Sequence, residues 1–213
     1  MKSLKGKFAI VGLGITEMGK IYGRPCEDFA AEAIKLAVED AGLKKSDIDG
    51  LLVNAGADNV LDPRFQNYVG LGNLSVFAQM SAWGATASQM VMSAGMAVNA
   101  GLANYVVCVF ADAPLKQQTA SGSLYTSTGS PGISSMRAGY GIYGDVSTYA
   151  LAASRHMGLF GTTQEHLGEV AVAQRKWANM NPKAQMRDKA LTMEDYNLSR
   201  WICEPLHLFD CSP

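Results

Sequence analysis

Thiols and imidazoles are the side chains of this 213-residue sequence whose spacing says most about chemistry. The cysteines are Cys26, Cys108, Cys203 and Cys211, and the histidines are His156, His166 and His207. No two cysteines form a CxxC pair, and no histidine stands at a ligand spacing from a cysteine, so no metal site is predicted. The sequence is neither short nor visibly secreted, and its thiols are therefore interpreted as reduced and mostly structural.

Individual members of this set can be placed more closely. Cys108 lies in the middle of an apolar run, which predicts a core thiol. Cys211 lies near the end of a candidate final strand, where it would be buried in an intact fold. His156 follows Arg155 on a predicted helix, a position more typical of a half-exposed helix residue than of a catalytic base.

Two glycine-rich segments could bind a ligand. Residues 12–19 resemble a dinucleotide-binding loop, but the third glycine stands at the wrong offset and no helix begins there, so nucleotide binding is not predicted. Residues 113–145 are rich in Gly, Ser and Thr, which predicts a long loop. Within it, Tyr140 and Tyr143 stand beside glycines and are candidates to line a substrate entry, the alternative being that they pack on their own chain.

The elements that would position these residues follow from hydrophobic periodicity. Residues 8–12 and 51–55 are short apolar runs that predict buried strands, with a helix from Cys26 to Gly42 between them. This βαβ order indicates an α/β fold with a mixed or parallel sheet. Residues 85–100 contain no charge, which predicts a helix buried on every side, and residues 105–111 predict a fully buried strand.

The rest of the chain is predicted to be mainly helical. Helical spacing resumes at 147, a second helix starts at Thr163, a short helix opens at 192, and residues 206–211 predict a last strand. That strand would need a covering layer from a partner or from further chain.

Composition limits the function classes. The net charge is −1, with 48% hydrophobic and 17% charged residues, which is typical of a folded globular protein and gives no support for nucleic-acid binding. No apolar stretch reaches the roughly 18 residues of a membrane helix, and no signal peptide is recognised, so a cytoplasmic protein without a membrane partner is expected.

Residues 1–112 resemble the N-terminal half of a thiolase-fold protein, and the later part resembles the sterol-carrier-protein-2 type of thiolase, nearest to its lipid-transfer-protein, steroid-side-chain-aldolase-like subgroup. The motifs that carry the resemblance are Asp47-Ile48-Asp49-Gly50, Gly101-Leu102-Ala103-Asn104, His156-Met157, Gly161-Thr162-Thr163, Asn181-Pro182, Ser199-Arg200-Trp201-Ile202, Glu204-Pro205-Leu206 and Asp210-Cys211. The resemblance implies a layered α-β-α fold of which this is the first half: a core at 1–112, a loop region at 113–145 and a helical segment with the last strand at 146–213, the C-terminal half being absent.

The sequence departs from the family at its nucleophile. In thiolases a cysteine stands at the N-terminus of the buried helix, where free N–H groups and the helix dipole favour the thiolate. The family interval counted back from Gly101 falls on Gly84, which carries no nucleophile, and the neighbours Trp83 and Thr86 are not thiols. Thr86 or Ser88 as a substitute nucleophile is a weaker alternative, since a hydroxyl would need an adjacent base.

The resemblance therefore implies retro-aldol cleavage of a β-hydroxyacyl-CoA, which needs a base and an oxyanion site but no acyl-enzyme. Gly84 would mark the vacated nucleophile position, while Trp83, Thr86, Tyr140 and Tyr143 would contact substrate. The coenzyme A thioester would be the substrate, with no permanently bound cofactor and no metal. The acid and base would lie in the half that this chain does not include.

The expected assembly is at least a homodimer, paired through the 105–111 strand, or a hetero-oligomer. Partners implied by the family are a zinc-ribbon/OB-fold acyl-CoA-binding protein or a chain that carries the second thiolase half. Two other functions stay open: an acyltransferase whose nucleophile lies elsewhere, and a non-catalytic lipid- or acyl-CoA-binding subunit.

Overall fold

The computed structural model describes residues 4–56, 60–118 and 132–211, without the side chains of 133 and 134. The chain divides into two compact units, residues 1–118 and 119–213.

Unit 1 is built on a parallel sheet. Its elements are α1 (Cys26–Asp40), β1 (Gly50–Asn54), α2 (Phe65–Val69), β2 (Val76–Gln79), α3 (Thr86–Asn99) and β3 (Val106–Phe110). The strand order is β2-β1-β3, and Gly50 lies opposite Val76 on one side and Val106 on the other. The central strand β1 is buried throughout. In the sequence, a parallel strand that is buried on both faces is a nearly continuous apolar run, and β1 is such a run.

Helices cover both faces of this sheet. Ala30, Ile34 and Val38 recur along one face of α1 and join a buried cluster with Leu51 and Val53 of β1. Because side chains alternate along a strand, the buried Leu52 between them faces the opposite side. Helix α3 also packs against β1 and β3. The predicted layered α-β-α arrangement of the thiolase-like α/β fold is thereby confirmed.

A carboxylate joins two of the sequence motifs at the amino end of the sheet. The side chain of Asp49 accepts hydrogen bonds from the backbone N–H groups of Asn104 and Tyr105 and from the Asn104 side chain, each at 2.8 Å. Partial burial raises the pKa of Asp49, but the hydrogen bonds from Tyr105 and Asn104 outweigh it, so that the net shift is downward.

The buried strand predicted at residues 8–12 is absent, and this prediction is wrong. Residues 8–12 form no strand, and Ile10 and Val11 are 75% and 58% exposed. A strand requires a neighbour for its N–H and C=O groups, and among the described residues none of these groups bonds to another main chain. The residues of this apolar run favour β-structure, but their composition does not show whether another strand lies beside them.

Two further burial predictions need correction. Helix α3 is confirmed, but it is buried on one side only, since Met92 and Met96 are 52% and 46% exposed. Strand β3 is likewise not fully buried, with Phe110 57% exposed. A helix without charged residues can be buried on every side, but it is buried only where another element covers it.

Unit 2 is mainly helical. It contains α4 (Ile133–Gly139), α5 (Gly144–Phe160), α6 (Gln164–Met180), α7 (Met193–Leu198), and the antiparallel strands β4 (Trp201–Cys203) and β5 (Leu206–His207). Thr163 precedes α6, and its N–H donates to His166 Nδ1 at 3.0 Å. The loop predicted at 113–145 is wrong where α4 lies, and its Ser- and Gly-rich part at 119–131 lies outside the described residues.

The predicted strand at 206–211 is shorter than expected. Strand β5 ends at His207, and Leu208–Asp210 form a single 3₁₀ turn. The Asp210 carboxylate stops the strand by accepting the His207 N–H at 2.7 Å, which turns the chain back on itself.

A buried tyrosine organises the core of unit 2. Tyr196 has no exposed surface; its hydroxyl donates to Asp210 Oδ2 at 2.8 Å and accepts from Gln164 Nε2 at 2.9 Å. Gln164 also donates to the Pro205 carbonyl at 2.9 Å. Burial, followed by the Asp210 carboxylate, raises the pKa of Tyr196. The motifs of the C-terminal part of the sequence thus meet in one hydrogen-bonded cluster, defined here as the Tyr196 cluster: Tyr196, Gln164, Pro205 and Asp210.

Candidate active site

The carboxyl ends of the three parallel strands converge beside the N-terminus of α3. In open α/β sheets this edge is where ligands bind. Asn54, the last residue of β1, is only 7% exposed. Its Nδ2 donates to the Met80 carbonyl at 2.5 Å, and its own carbonyl accepts from Ala111 N at 3.1 Å. The ends of β1, β2 and β3 are therefore fixed relative to one another.

A glycine and a carboxylate lie next to Asn54. The N–H of Gly56 donates to Asn54 Oδ1 at 3.2 Å. Gly56 has a φ of +54°, and a Cβ there would overlap the side chain of Asp112, which follows β3. Only glycine satisfies both the backbone conformation and this close approach.

The turn into α3 satisfies its own polar groups. Thr86 Oγ1 accepts from Ala82 N at 2.8 Å and donates to the Trp83 carbonyl at 2.7 Å. Thr86 is 5% exposed. Its hydroxyl is engaged as both donor and acceptor within the turn, so it is positioned as a structural element of the helix start. This geometry argues against Thr86 as a nucleophile.

Trp83 projects from this turn in an unusual conformation. Its side chain is 80% exposed, and its φ is +49°, in the left-handed region that non-glycine residues rarely adopt. Strained residues of this kind concentrate at functional sites. Trp83 therefore presents a large apolar surface directly at the open end of α3.

Gly84 stands next to Trp83 with open space around it. A Cβ at Gly84 would meet no atom within 4 Å, and its φ is not in the left-handed region. Neither backbone conformation nor packing requires glycine at this position. The helix end is therefore accessible, has the partial positive charge of the dipole, and carries no thiol.

The cysteines lie away from this turn in sequence and environment. All four are reduced thiols, and none forms a disulfide within the described residues. Cys26, the first residue of α1, belongs to the buried core, and burial raises the pKa of Cys108 to about 11. Burial, with Asp210 beside it, also raises the pKa of Cys211. A higher pKa disfavours the thiolate, so neither Cys108 nor Cys211 is activated as a nucleophile.

The structure brings Trp83, Gly84 and Thr86 together in one turn of unit 1. The other candidates, Tyr140 and Tyr143, flank the short connection between α4 and α5 in unit 2 and are 80% and 60% exposed. His156 is exposed on α5, with its ring 4.8 Å from that of Phe160.

Sequence reasoning missed two polar residues at the sheet edge, Asn54 and Asp112. A signal was present, because each directly follows an apolar strand run: Asn54 after 51–53 and Asp112 after 105–111. Within the described residues no group of three or more His, Cys, Asp or Glu side chains is arranged to hold a metal ion. None of the described helices combines the length and the apolar character needed to span a bilayer.

Comparison with known proteins identifies similar chains. No protein-family model matches. The chain is 37% identical to the steroid side-chain-cleaving aldolase of Thermomonospora curvata, over 99% of this chain and 55% of that protein. It is also 37% identical to the 17-hydroxy-3-oxo-4-pregnene-20-carboxyl-CoA lyase of Mycobacterium tuberculosis, over 98% of this chain and 55% of that protein.

Solved structures agree with the sequence matches. The structure described as the Ltp2-ChsH2(DUF35) aldolase matches with a TM-score of 0.84 and 37% identity, over 99% of this chain and 53% of the matched chain. A monomeric SCP2-thiolase-like protein type 1 of Mycobacterium smegmatis shares the fold, with a TM-score of 0.62 and 17% identity over 88% of this chain and 38% of that one. The chain spans about half the length of the curated relatives it matches. It belongs to the family of the steroid side-chain-cleaving aldolases and has the fold of the SCP2-thiolase-like proteins.

Proposed function

We propose that the chain is part of a C–C lyase that cleaves a β-hydroxyacyl-CoA by a retro-aldol reaction. One observation carries the proposal. The N-terminus of α3 is open at Gly84 and offers no thiol, in a chain 37% identical to an aldolase and to a CoA lyase. A reaction at this helix end has to proceed without an acyl-cysteine.

The proposed chemistry conserves atoms and electrons. A base removes the proton of the β-hydroxyl group, and the O–H electron pair forms the new C=O bond. The Cα–Cβ bond breaks, its electron pair moves into the thioester as an enolate, and protonation at Cα then releases a shortened acyl-CoA together with an aldehyde or ketone. We assign the base to the part of the protein that this chain does not span.

The chain's own residues would bind and orient the substrate. The positive end of the α3 dipole at Gly84 would stabilise the enolate oxygen, as oxyanion sites do. The exposed ring of Trp83 would pack against the acyl group. Tyr140 and Tyr143, considered within unit 2 by itself, stay candidate substrate contacts. Coenzyme A would enter and leave as part of substrate and product, with no permanently bound cofactor.

The proposal includes an assembly and a location. The partners would be a zinc-ribbon/OB-fold acyl-CoA-binding protein and the polypeptide of the second thiolase half, in a homodimer or hetero-oligomer. The similarity to the Ltp2-ChsH2(DUF35) aldolase, whose description names two components, supports a complex with a DUF35 partner. The location would be the cytoplasm.

The test uses the chain co-produced with the segment of the Thermomonospora curvata aldolase that it does not match. The complex is incubated with a steroid β-hydroxyacyl-CoA, and products are followed by mass spectrometry. A steroid ketone and a short acyl-CoA are expected, and their formation should resist iodoacetamide. Thiol-dependent cleavage by free coenzyme A would instead establish the acyltransferase, and binding without turnover the non-catalytic subunit.

Two glycine variants localise the site. Gly84 and Gly72 both have open Cβ positions and no left-handed φ, so leucine should fit at either without loss of stability. Gly84→Leu is expected to lower kcat/KM at least tenfold by occupying the helix end, whereas Gly72→Leu should leave it unchanged. Equal activities of the two variants would show that the N-terminus of α3 takes no part in the reaction.

A further inference from the structure

Asn54 connects the carboxyl end of β1 to the segment that leads into α3. Its Nδ2 donates to the Met80 carbonyl at 2.5 Å, and its Oδ1 accepts from Gly56 N at 3.2 Å. The N–H of Met80 in turn donates to the Val53 carbonyl at 2.9 Å. Both main-chain polar groups of Met80 are therefore held by β1, and Gly84 is the fourth residue after it.

The turn between Met80 and α3 needs an anchor because its backbone is strained. Trp83 has a φ of +49°, a conformation that persists in a non-glycine residue only where the surrounding structure enforces it. Thr86 holds the turn on its helix side, where its Oγ1 accepts from Ala82 N at 2.8 Å and donates to the Trp83 carbonyl at 2.7 Å. On the other side, the bond from Asn54 to the Met80 carbonyl ties the turn to the sheet.

An asparagine side chain suits this position because it offers a donor and an acceptor on one planar group. An ionised aspartate would have no donor for the Met80 carbonyl, leucine would have neither group, and glutamine would be longer by one methylene. Asn54 is only 7% exposed, so water does not simply replace a lost bond. An unpaired buried carbonyl favours a movement of the chain that brings it to water, and at Met80 that movement would displace the turn.

We propose that Asn54 is a positioning residue: through the Met80 carbonyl it holds the turn that places Gly84 at the N-terminus of α3. Asn54 itself does not touch the substrate. This inference rests on the proposed function, in which the positive end of α3 stabilises the enolate oxygen. A displacement of about 1 Å can reduce a rate about a hundredfold, so Asn54 should affect turnover more than substrate binding.

A second tie on β1 provides a matched control. Asp49, at the other end of the strand, accepts from the N–H groups of Asn104 and Tyr105 at 2.8 Å. It fastens β1 to the segment before β3, as Asn54 fastens it to the segment after β2, but the N-terminus of α3 does not lie at that end. A loss of sheet stability alone would affect variants of both residues, whereas a loss of position would affect only those of Asn54.

The first experiment measures the helix end of the full chain without turnover. A cysteine replaces Gly84, whose Cβ position is open, and the pH dependence of its labelling by iodoacetamide, followed by peptide mass spectrometry, gives the thiol pKa. Gly84→Cys is measured alone, with Asn54→Leu and with Asp49→Ala, and circular dichroism verifies folding. Asn54→Leu should raise the thiol pKa because the helix end no longer faces the sulfur, and Asp49→Ala should leave it unchanged. If leucine prevents folding, the smaller Asn54→Ser, which is too short to reach Met80, takes its place.

The second experiment measures cleavage of a steroid β-hydroxyacyl-CoA by the co-produced complex. Asn54→Leu should lower kcat at least tenfold with a nearly native KM, and Asp49→Ala should change neither. Asn54→Asp adds a pH test, because its carboxyl can donate to the Met80 carbonyl only when protonated. Burial and the facing carbonyl should raise the pKa of this carboxyl above its usual value of about 4. The ratio of variant to native kcat should therefore rise as the pH falls through that pKa.

A raised thiol pKa at position 84 in Asn54→Leu, together with the selective loss of kcat, would support the inference. An unchanged thiol pKa, a native kcat, or an equal effect of Asp49→Ala would overturn it. If the complex with native Asn54 forms no ketone, the proposed lyase function fails, and the thiol pKa alone still decides whether Asn54 positions the turn.

Discussion

The open sheet edge of unit 1 and the Tyr196 cluster of unit 2 both satisfy their buried polar groups, but they differ in the space beside those groups. In the Tyr196 cluster every side chain finds its partner inside the unit, and a Cβ on Gly168 would lie 2.6 Å from Met193 and 2.7 Å from Tyr196. At the sheet edge, Asn54 and Thr86 are equally engaged, but the neighbouring Gly84 faces empty space.

The difference shows how to distinguish residues that stabilise the fold of this chain from positions where a reaction could take place. A buried, fully bonded polar residue marks a place where the fold is held together, as does Tyr196. A place for chemistry also needs unoccupied volume and a directed dipole, and Gly84 has both. Substitutions with their controls test this difference between the two regions.

The largest effect is expected for Tyr196→Ala. It removes a ring with no exposed surface and takes away one hydrogen-bond partner of Asp210 and one of Gln164. Truncation of a buried aromatic costs about 3–5 kcal/mol of unfolding free energy. Urea denaturation measures it, with Tyr149→Ala, at a 67% exposed tyrosine of the same unit, as the control expected within about 0.5 kcal/mol. Equal losses would show that the Tyr196 cluster does not hold the unit together.

A smaller loss is expected for Asp49→Ala. The substitution removes the acceptor of the N–H groups of Asn104 and Tyr105, and because both residues are exposed to water the loss should be about 1.5 kcal/mol. Since folding lowers the pKa of Asp49, its stabilising contribution is complete above the unfolded pKa of about 4 and is lost as the pH falls through the folded value. Urea denaturation at pH 7 and at pH 3 should show a variant penalty that shrinks in acid.

The control for this carboxylate is Glu17→Ala, at an exposed position. It should change the unfolding free energy by less than about 0.5 kcal/mol at either pH. If Asp49→Ala behaved in the same way, the connection between β1 and the segment before β3 would contribute nothing to stability.

The next effect concerns the strain at Trp83. With its φ of +49°, Trp83→Gly should be more stable than Trp83→Ala by about 1 kcal/mol, because only glycine adopts this conformation without penalty. The ring is 80% exposed, so either variant loses little packing. Thermal unfolding compares the two. Equal melting temperatures would mean that the turn relaxes and that its left-handed conformation stores no strain.

The smallest effect on stability is expected for Gly84→Cys. The open Cβ position accommodates the side chain, and the N-terminus of α3 should lower the thiol pKa by a few tenths of a unit relative to Met92→Cys, further along the same helix. The rate of iodoacetamide labelling against pH measures both values. If the Gly84→Cys thiol had a higher pKa than the Met92→Cys thiol, the N-terminus of α3 would not stabilise negative charge.

Much of the fold follows from local patterns. The runs at 51–55 and 105–111 predicted β1 and β3, and Thr163 predicted the start of α6, because each depends on neighbours in sequence. Burial and strand formation depend instead on distant chain. Residues 8–12 have the composition of a strand but no neighbour bonded to their main chain, and α3 has an apolar surface on which Met92 and Met96 remain exposed.

The candidate site was predicted less completely. A spacing argument drew attention to Gly84, and the structure adds that the position is open, although its equivalence to the thiolase nucleophile stays a prediction. The roles of Asn54 and Asp112 were not evident, because they arise from contacts between strand ends far apart in the sequence. Tyr140 and Tyr143 stay candidates, since exposure alone does not define what a tyrosine binds.

The parallel sheet is fastened at both ends of β1. At the start of the strand Asp49 holds Asn104 and Tyr105, and at its end Asn54 holds Met80. A shift of either neighbour by one residue would break one of these ties and turn every side chain of that strand to the other face. The length of β1 therefore sets the distance between these two hydrogen-bonded ends. Insertion or deletion of a single residue within β1 would misalign the strand ends that lie beside the turn into α3.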